Sequence, residues 1–150
     1  MLAPVYGPTY AAKIQRNPRE VTMQEQPTLA SSPVVTRWPG NPVLSAADVR
    51  YPATLVFNAG VTKFRGRYVM VFRNDYGDEG EKRLDGTNLG LALSNDGVHW
   101  TVEPKPCFVM GTDEIQRAYD PRLTVIDGRC YMCFAVDARH GIRDGIAVTD

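Results

Sequence analysis

The strongest constraint on this chain is that it partly repeats itself. Gly66-Arg-Tyr-Val-Met-Val-Phe72 returns 62 residues later as Gly128-Arg-Cys-Tyr-Met-Cys-Phe134. Gly90-Leu-Ala-Leu-Ser-Asn95 returns 55 residues later as Gly145-Ile-Ala-Val-Thr-Asp150. The first copy runs on through Asp96-Gly97-Val-His-Trp100, whereas the second stops at Asp150. Each unit reads as strand, turn, strand, long loop, strand, hairpin and strand, which is the content of a propeller blade. Blades bury their faces against neighbouring blades, so two alone would expose an apolar flank. The expectation is an all-β chain forming about the first two blades of a longer propeller, truncated in mid-repeat. The alternative is a small stand-alone sandwich.

Strand and turn signals alternate from Thr54 onward. Thr54–Asn58 and Gly60–Phe64 flank an Asn-Ala-Gly bend, and Arg67–Arg73 is β-branched and aromatic. Asn88–Ser94 closes on Asn95-Asp96-Gly97, a hairpin signal, and His99–Glu103 runs into Pro104-Lys-Pro106. Leu123–Ile126, Arg129–Val136 and Gly145–Val148 continue the series, with Asp127-Gly128 as a further hairpin turn. No long stretch has a 3.6-residue period with caps; Ala11–Gln15 and Asp113–Ala118 each predict a single helical turn. Residues 1–42, rich in Pro, Thr, Gln and Arg, read as an extended arm ending in Trp38-Pro-Gly-Asn-Pro42. Residues 43–150 are left for the blades.

The 150 residues carry 17 basic and 17 acidic side chains, a formal net charge of 0. That balance argues against nucleic acid or a membrane surface as the main partner. No stretch approaches the ~20 apolar residues of a membrane span. The start, Met1 to Tyr10, lacks the basic n-region and apolar run of a secretory signal. Three cysteines leave at least one unpaired within the chain, which favours a reducing compartment and a cytoplasmic location. Cys130 and Cys133 form a nominal C-x-x-C, but side chains three apart on a strand point to opposite faces. They read as two small core residues rather than a redox or zinc pair. GxGxxG, P-loop, HExxH and GxSxG motifs are absent, which removes several standard enzyme classes.

The candidate functional residues follow the repeat. Tyr119-Asp-Pro-Arg122 stands just before one predicted strand and Phe57-Asn-Ala-Gly60 just before the equivalent one, with Asp120 and Asn58 62 residues apart. Two polar side chains at one blade position would project into one channel, which favours a shared site over two unrelated Asx turns. Arg73, followed by Asn74-Asp75, suits either a sugar hydroxyl or a carboxylate partner. Arg139 and His140, after the second copy of that strand, suit either an oxyanion, through the planar guanidinium fork, or a solvated basic turn.

Taken in order, Asn41-Pro-Val-Leu44, Phe57-Asn-Ala-Gly60, Val71-Phe-Arg73, Ser94-Asn-Asp-Gly97 with Trp100, and Tyr119-Asp-Pro-Arg122 resemble glycoside hydrolase family 130. That resemblance spans roughly residues 38–150. It implies a five-bladed β-propeller and a β-mannoside phosphorylase, with β-mannosidases also in the family. The string Tyr119-Asp-Pro-Arg-Leu-Thr124 followed by Ala138-Arg-His140 is most similar to the branch acting on 4-O-β-mannosyl-glucose, although many members have Glu where Tyr119 stands. The loop Asp75–Thr87 is longer than in comparable members, so a second sugar-contacting cation, Lys82 or Arg83, is only a candidate.

The resemblance also implies roles. Asp120 is the general acid, Asn58 and Arg73 hold the mannosyl unit, Arg139 binds phosphate, and Arg122 either contacts substrate or braces Asp120. An inverting glycosidase needs a second carboxylate about 6.5–9.5 Å away to activate water. A phosphorylase needs one acid, because inorganic phosphate is itself the anionic nucleophile. The expected partners are a β-mannoside disaccharide or oligosaccharide and phosphate as co-substrate, with no metal or other cofactor and with homo-oligomerisation left open. The alternatives are a β-mannosidase on the same fold and a noncatalytic sugar-binding propeller.

Overall fold

The computed structural model describes residues 32–77 and 85–149. The chain separates into two units, Met1–Arg37 and Trp38–Asp150, and the second carries all the strands found among the described residues. Its seven strands are β1 (Leu55–Phe64), β2 (Arg67–Tyr76), β3 (Gly86–Ser94), β4 (Thr101–Val102), β5 (Ile115–Ile126), β6 (Arg129–Ala138) and β7 (Gly141–Thr149). They form two antiparallel meanders, a four-stranded sheet in the order β1-β2-β3-β4 and a three-stranded sheet in the order β5-β6-β7. The same hairpin opens both sheets. Arg65-Gly66 joins β1 to β2 and Asp127-Gly128 joins β5 to β6, and all four residues have positive φ. This is the primed two-residue turn whose twist matches the flanking strands.

The first sheet is covered on both faces, which is why β2 reads as a continuous apolar run rather than an alternation. Val71 and Leu89 face the second sheet and meet Ala118, Met132, Phe134 and Val136 there. Phe108 joins this core, its ring centroid 5.0 Å from that of Phe134, because residues 107–108 return to hydrogen-bond Leu89. Met70, Phe72 and Ala92 face the other way and are covered by Leu44, Val49, Val56, Trp100 and Val102. The turn after β3 aims Trp100 at that face. Asp96 Oδ1 accepts the backbone N–H groups of Val98 and His99, and Trp100 Nε1 donates to the Gly97 carbonyl. The His99 contacts hold the exposed Asp96 carboxyl well below the usual carboxylate range.

Several expectations need correction. Asp113–Ala118 is not a helical turn: residues from Ile115 onward are strand β5, because Ile115, Arg117 and Ala118 pair with Ala138, Asp137 and Val136 of β6. The segments on either side of Asn58 are one strand with a bulge, and Leu123–Ile126 is only the end of β5. His99–Glu103 shortens to Thr101–Val102, and β7 starts at Gly141, four residues before Gly145. Cys130 is buried but Cys133 is exposed, so only one of the pair is a core residue; alternation puts Cys133 on the uncovered face of the second sheet. The turn expected at Ala11–Gln15 lies outside the described residues.

Candidate active site

Two bulges at equivalent places in the two sheets build the site. The β1–β2 register shifts between Phe57 and Gly60, and the β5–β6 register shifts between Tyr119 and Arg122. Each bulge holds a left-handed residue, Asn58 at φ 49° and Asp120 at φ 54°. Asn and Asp are the non-glycine residues that best tolerate this conformation. A bulge re-aims its side chain away from the pleat, and here the two are aimed at each other. Asn58 Nδ2 donates to Asp120 Oδ1 at 2.8 Å.

The two strands can meet because of Gly60. A Cβ at that position would lie 2.7 Å from the Pro121 carbonyl oxygen, 2.9 Å from Arg122 Cα and 3.0 Å from Leu123 N. Arg122 ties the bulges together from outside, its Nη1 donating to the carbonyl oxygens of Pro121 at 2.8 Å and Asn58 at 3.4 Å.

Arg73, opposite Phe57 on β2, adds a cation. Its Nη1 lies 3.5 Å from Asp120 Oδ1. Its Nε and Nη2 donate to the two oxygens of Asp75 at 2.8 and 2.7 Å, and Thr87 Oγ1 donates to Asp75 Oδ1 at 2.7 Å. The Arg73 Cζ stands 4.6 Å from the ring centroid of Phe57 and 5.0 Å from that of Tyr119. Hydrogen bonding to Asp75, more than any other contact, raises the Arg73 pKa further. Next to this group, Asp137 accepts from Tyr119 OH at 2.7 Å and Arg117 Nε at 2.6 Å. The Tyr119 hydrogen bond lowers the Asp137 pKa, and the same bond raises that of Tyr119.

The structure thus brings together Asn58, Arg73 and Asp120, with Arg122 on the bulge backbones rather than on the carboxylate. It does not bring Arg139 to them. Arg139 and His140 form the exposed turn between β6 and β7, and the Arg139 backbone N–H donates to the Glu114 carbonyl. From the register, that turn lies ~15 Å along the sheet from Asp120 at about 3.3 Å per residue. Lys82 and Arg83 lie outside the described residues. Asp75 and the Tyr119–Asp137–Arg117 cluster were not among the expected site residues. A signal for them existed: carrying the 62-residue offset three residues past Phe72 and Phe134 pairs Asp75 with Asp137.

Chemically, Asp120 is a half-committed carboxyl group. Oδ1 receives both Asn58 and Arg73, while among the described residues Oδ2 accepts no hydrogen bond. The side chain is 35% exposed, against 6% for Asp75. Oδ2 is therefore the carboxyl oxygen left open to a bound hydroxyl. No group of three or more His, Cys, Asp or Glu gathers at metal-binding spacing among the described residues.

A family model described as beta-1,4-mannooligosaccharide phosphorylase, of glycoside hydrolase family 130, matches residues 24–150. The chain belongs to glycoside hydrolase family 130. Solved structures agree with the fold. A glycosyl hydrolase from Bacteroides ovatus is 27% identical over 67% of this chain and 29% of its own, with a TM-score of 0.55. A structure described under mannoside phosphorylases and glycoside hydrolases of this family that target β-1,2 mannosidic linkages in Candida mannan is 26% identical. That match covers 75% of this chain and 37% of the other, with a TM-score of 0.62. A β-1,2-mannobiose phosphorylase from Listeria innocua is 18% identical over 75% and 47%, with a TM-score of 0.63, a likeness of fold alone. No curated protein matches the sequence at a significant level. The two sheets are blades of the five-bladed β-propeller that this family forms, and the chain spans less than half the length of these three structures.

Proposed function

We propose that the intact glycoside hydrolase family 130 protein carrying this chain phosphorolyses a β-mannoside with inversion. The products are α-mannose 1-phosphate and the released sugar. The observation that carries the reading is the half-committed carboxyl group of Asp120, set between an amide and a guanidinium at the junction of two blades. The neighbouring carboxylates are already engaged, Asp75 by Arg73 and Thr87 and Asp137 by Tyr119 and Arg117. Among the described residues this leaves Asp120 as the acid beside the site, which suits a reaction whose nucleophile arrives as an anion. Asp120 is the proton donor, passing its proton through the mannose 3-hydroxyl to the bridging oxygen as the C1–oxygen bond breaks. A phosphate oxygen bonds C1 from the opposite face.

Asn58 and Arg73 hold the mannosyl unit and Arg122 braces the bulge. Arg139 is the candidate phosphate ligand on family resemblance alone. The substrate class is mannosyl-glucose or a β-1,4-manno-oligosaccharide; the description of the family model favours the latter and the Tyr119–Thr124 string the former. The second reading is a β-mannosidase, favoured by the related structure whose description names hydrolases. Three free cysteines fit the cytoplasmic location that belongs to this reading.

Incubating the intact protein with each mannoside, with and without inorganic phosphate, tests these readings. Phosphate-dependent release of α-mannose 1-phosphate is the expected result, with the dependence weakened in Arg139→Ala. Phosphate-independent hydrolysis transfers the assignment to the mannosidase, and binding without turnover makes the chain part of a sugar-binding module.

A further inference from the structure

We infer that Asp75 is a positioning residue that sets the direction of the Asp120 proton by acting through Arg73; this rests on the enzymatic reading above. Arg73 has five donor hydrogens on three nitrogens, and a guanidinium held at one edge can still swing unless its plane is fixed. Asp75 takes the Nε–Nη2 edge as a bidentate pair, and bidentate pairing fixes orientation as well as distance. The Phe57 and Tyr119 rings lie against the same guanidinium carbon. The remaining nitrogen, Nη1, is thereby directed at Asp120 Oδ1.

Asp75 itself is in turn held by Thr87. At 6% side-chain exposure it has almost no surface with which to meet a substrate, so its contribution passes through Arg73. The consequence at Asp120 is positional. With Nη1 and the Asn58 amide both on Oδ1, the acidic hydrogen is directed to Oδ2, toward the open side of the site. Freed from Asp75, the guanidinium can pivot and take both Asp120 oxygens, which leaves no oxygen dedicated to proton donation.

The test compares two substrates in the intact protein, a mannoside with a sugar leaving group and an aryl β-mannoside with an activated one. In Asp75→Asn, kcat for the first is expected to fall about tenfold to a hundredfold, the value of one charge-assisted contact, and for the second by a visibly smaller factor. In an Arg73→Met background, adding Asp75→Asn is expected to change kcat less than about twofold, because the route through Arg73 is already gone. If Asp75→Asn does not fold, Thr87→Val removes only the third hydrogen bond to Asp75, and a loss of about two- to tenfold, again larger for the sugar leaving group, is expected. Equal losses on both substrates, or a full loss added on top of Arg73→Met, overturn the positioning role and leave Asp75 a structural residue. A wild-type protein with no mannoside turnover overturns the enzymatic reading and this role with it, whereas normal kinetics in Asp75→Asn overturn the role alone.

Discussion

Asp120 and Asn58 meet because each occupies a left-handed position that turns it out of its own strand. The conformation costs backbone energy of order 1–3 kcal/mol at a non-glycine residue, so the surrounding sheet must over-determine it. Replacing Asp120 by Asn keeps a residue type that tolerates the conformation and removes only the transferable proton. Turnover of a mannoside with a sugar leaving group is expected to fall by about 10²–10⁴-fold, the usual range for general acid catalysis. An activated aryl leaving group needs less protonation, so its loss should be smaller, while the melting temperature stays nearly constant. Steady-state kinetics on both substrates beside a thermal melt check this. A lowered melting temperature with activity falling only in step with folded protein would return Asp120 to a turn-forming role.

At the scale of elements, the junction of β1 and β5 depends on one missing side chain. All three atoms closest to a Cβ at Gly60 are backbone atoms of residues 121–123, and backbone cannot rotate out of the way. Gly60→Ala should push β5 off β1 at a cost of about 1–3 kcal/mol, the range for overpacking, measured as a lowered denaturant midpoint. Because the same contact sets the Asn58–Asp120 hydrogen bond, activity should fall by more than the loss of folded protein explains. An unchanged midpoint would mean that the strands are not in close contact there.

These junctions also show where a sequence is readable. The hairpin at Asp127-Gly128 follows from local turn chemistry, and β2 and β6 follow from apolar runs, so all three were legible. The bulges were not. A left-handed Asn58 or an Asp120-Pro121 pair looks like the end of a strand, and only pairing with β2 or β6 carries the strand through it. Ile115 and Ala118 have helical spacing, but nothing local reveals that Ala138 and Val136 wait opposite them. Asn58 and Asp120 were found through the repeat, whereas Asp75 was missed because its importance lies in a contact with Arg73, two residues away on the same strand. The site's place for Arg139 came from resemblance, and the β6–β7 turn leaves that residue exposed.

For the whole molecule, the two blades differ in how they are covered. The first has apolar cover on both faces, from Leu44, Val49 and Trp100 on one side and the second blade on the other. On the second blade, Ile142, Ile146 and Val148 are 72%, 75% and 54% exposed, and Cys133 lies among them on the same face. Burying a Val or Ile side chain is worth about 1.5–3 kcal/mol, so this face forgoes several such contributions. In a family of five-bladed propellers a further blade covers the corresponding face. The 150-residue chain on its own should therefore bind a hydrophobic dye and self-associate, and Ile146→Lys with Val148→Lys should suppress both while the far-ultraviolet β signal persists. In an intact five-bladed protein the same pair of lysines should instead lower the melting temperature, because a further blade packed on that face would bury their ammonium groups. A monomeric, dye-free isolated chain with a sharp cooperative melt would show that the face needs no cover, and that the two sheets are a self-sufficient sandwich.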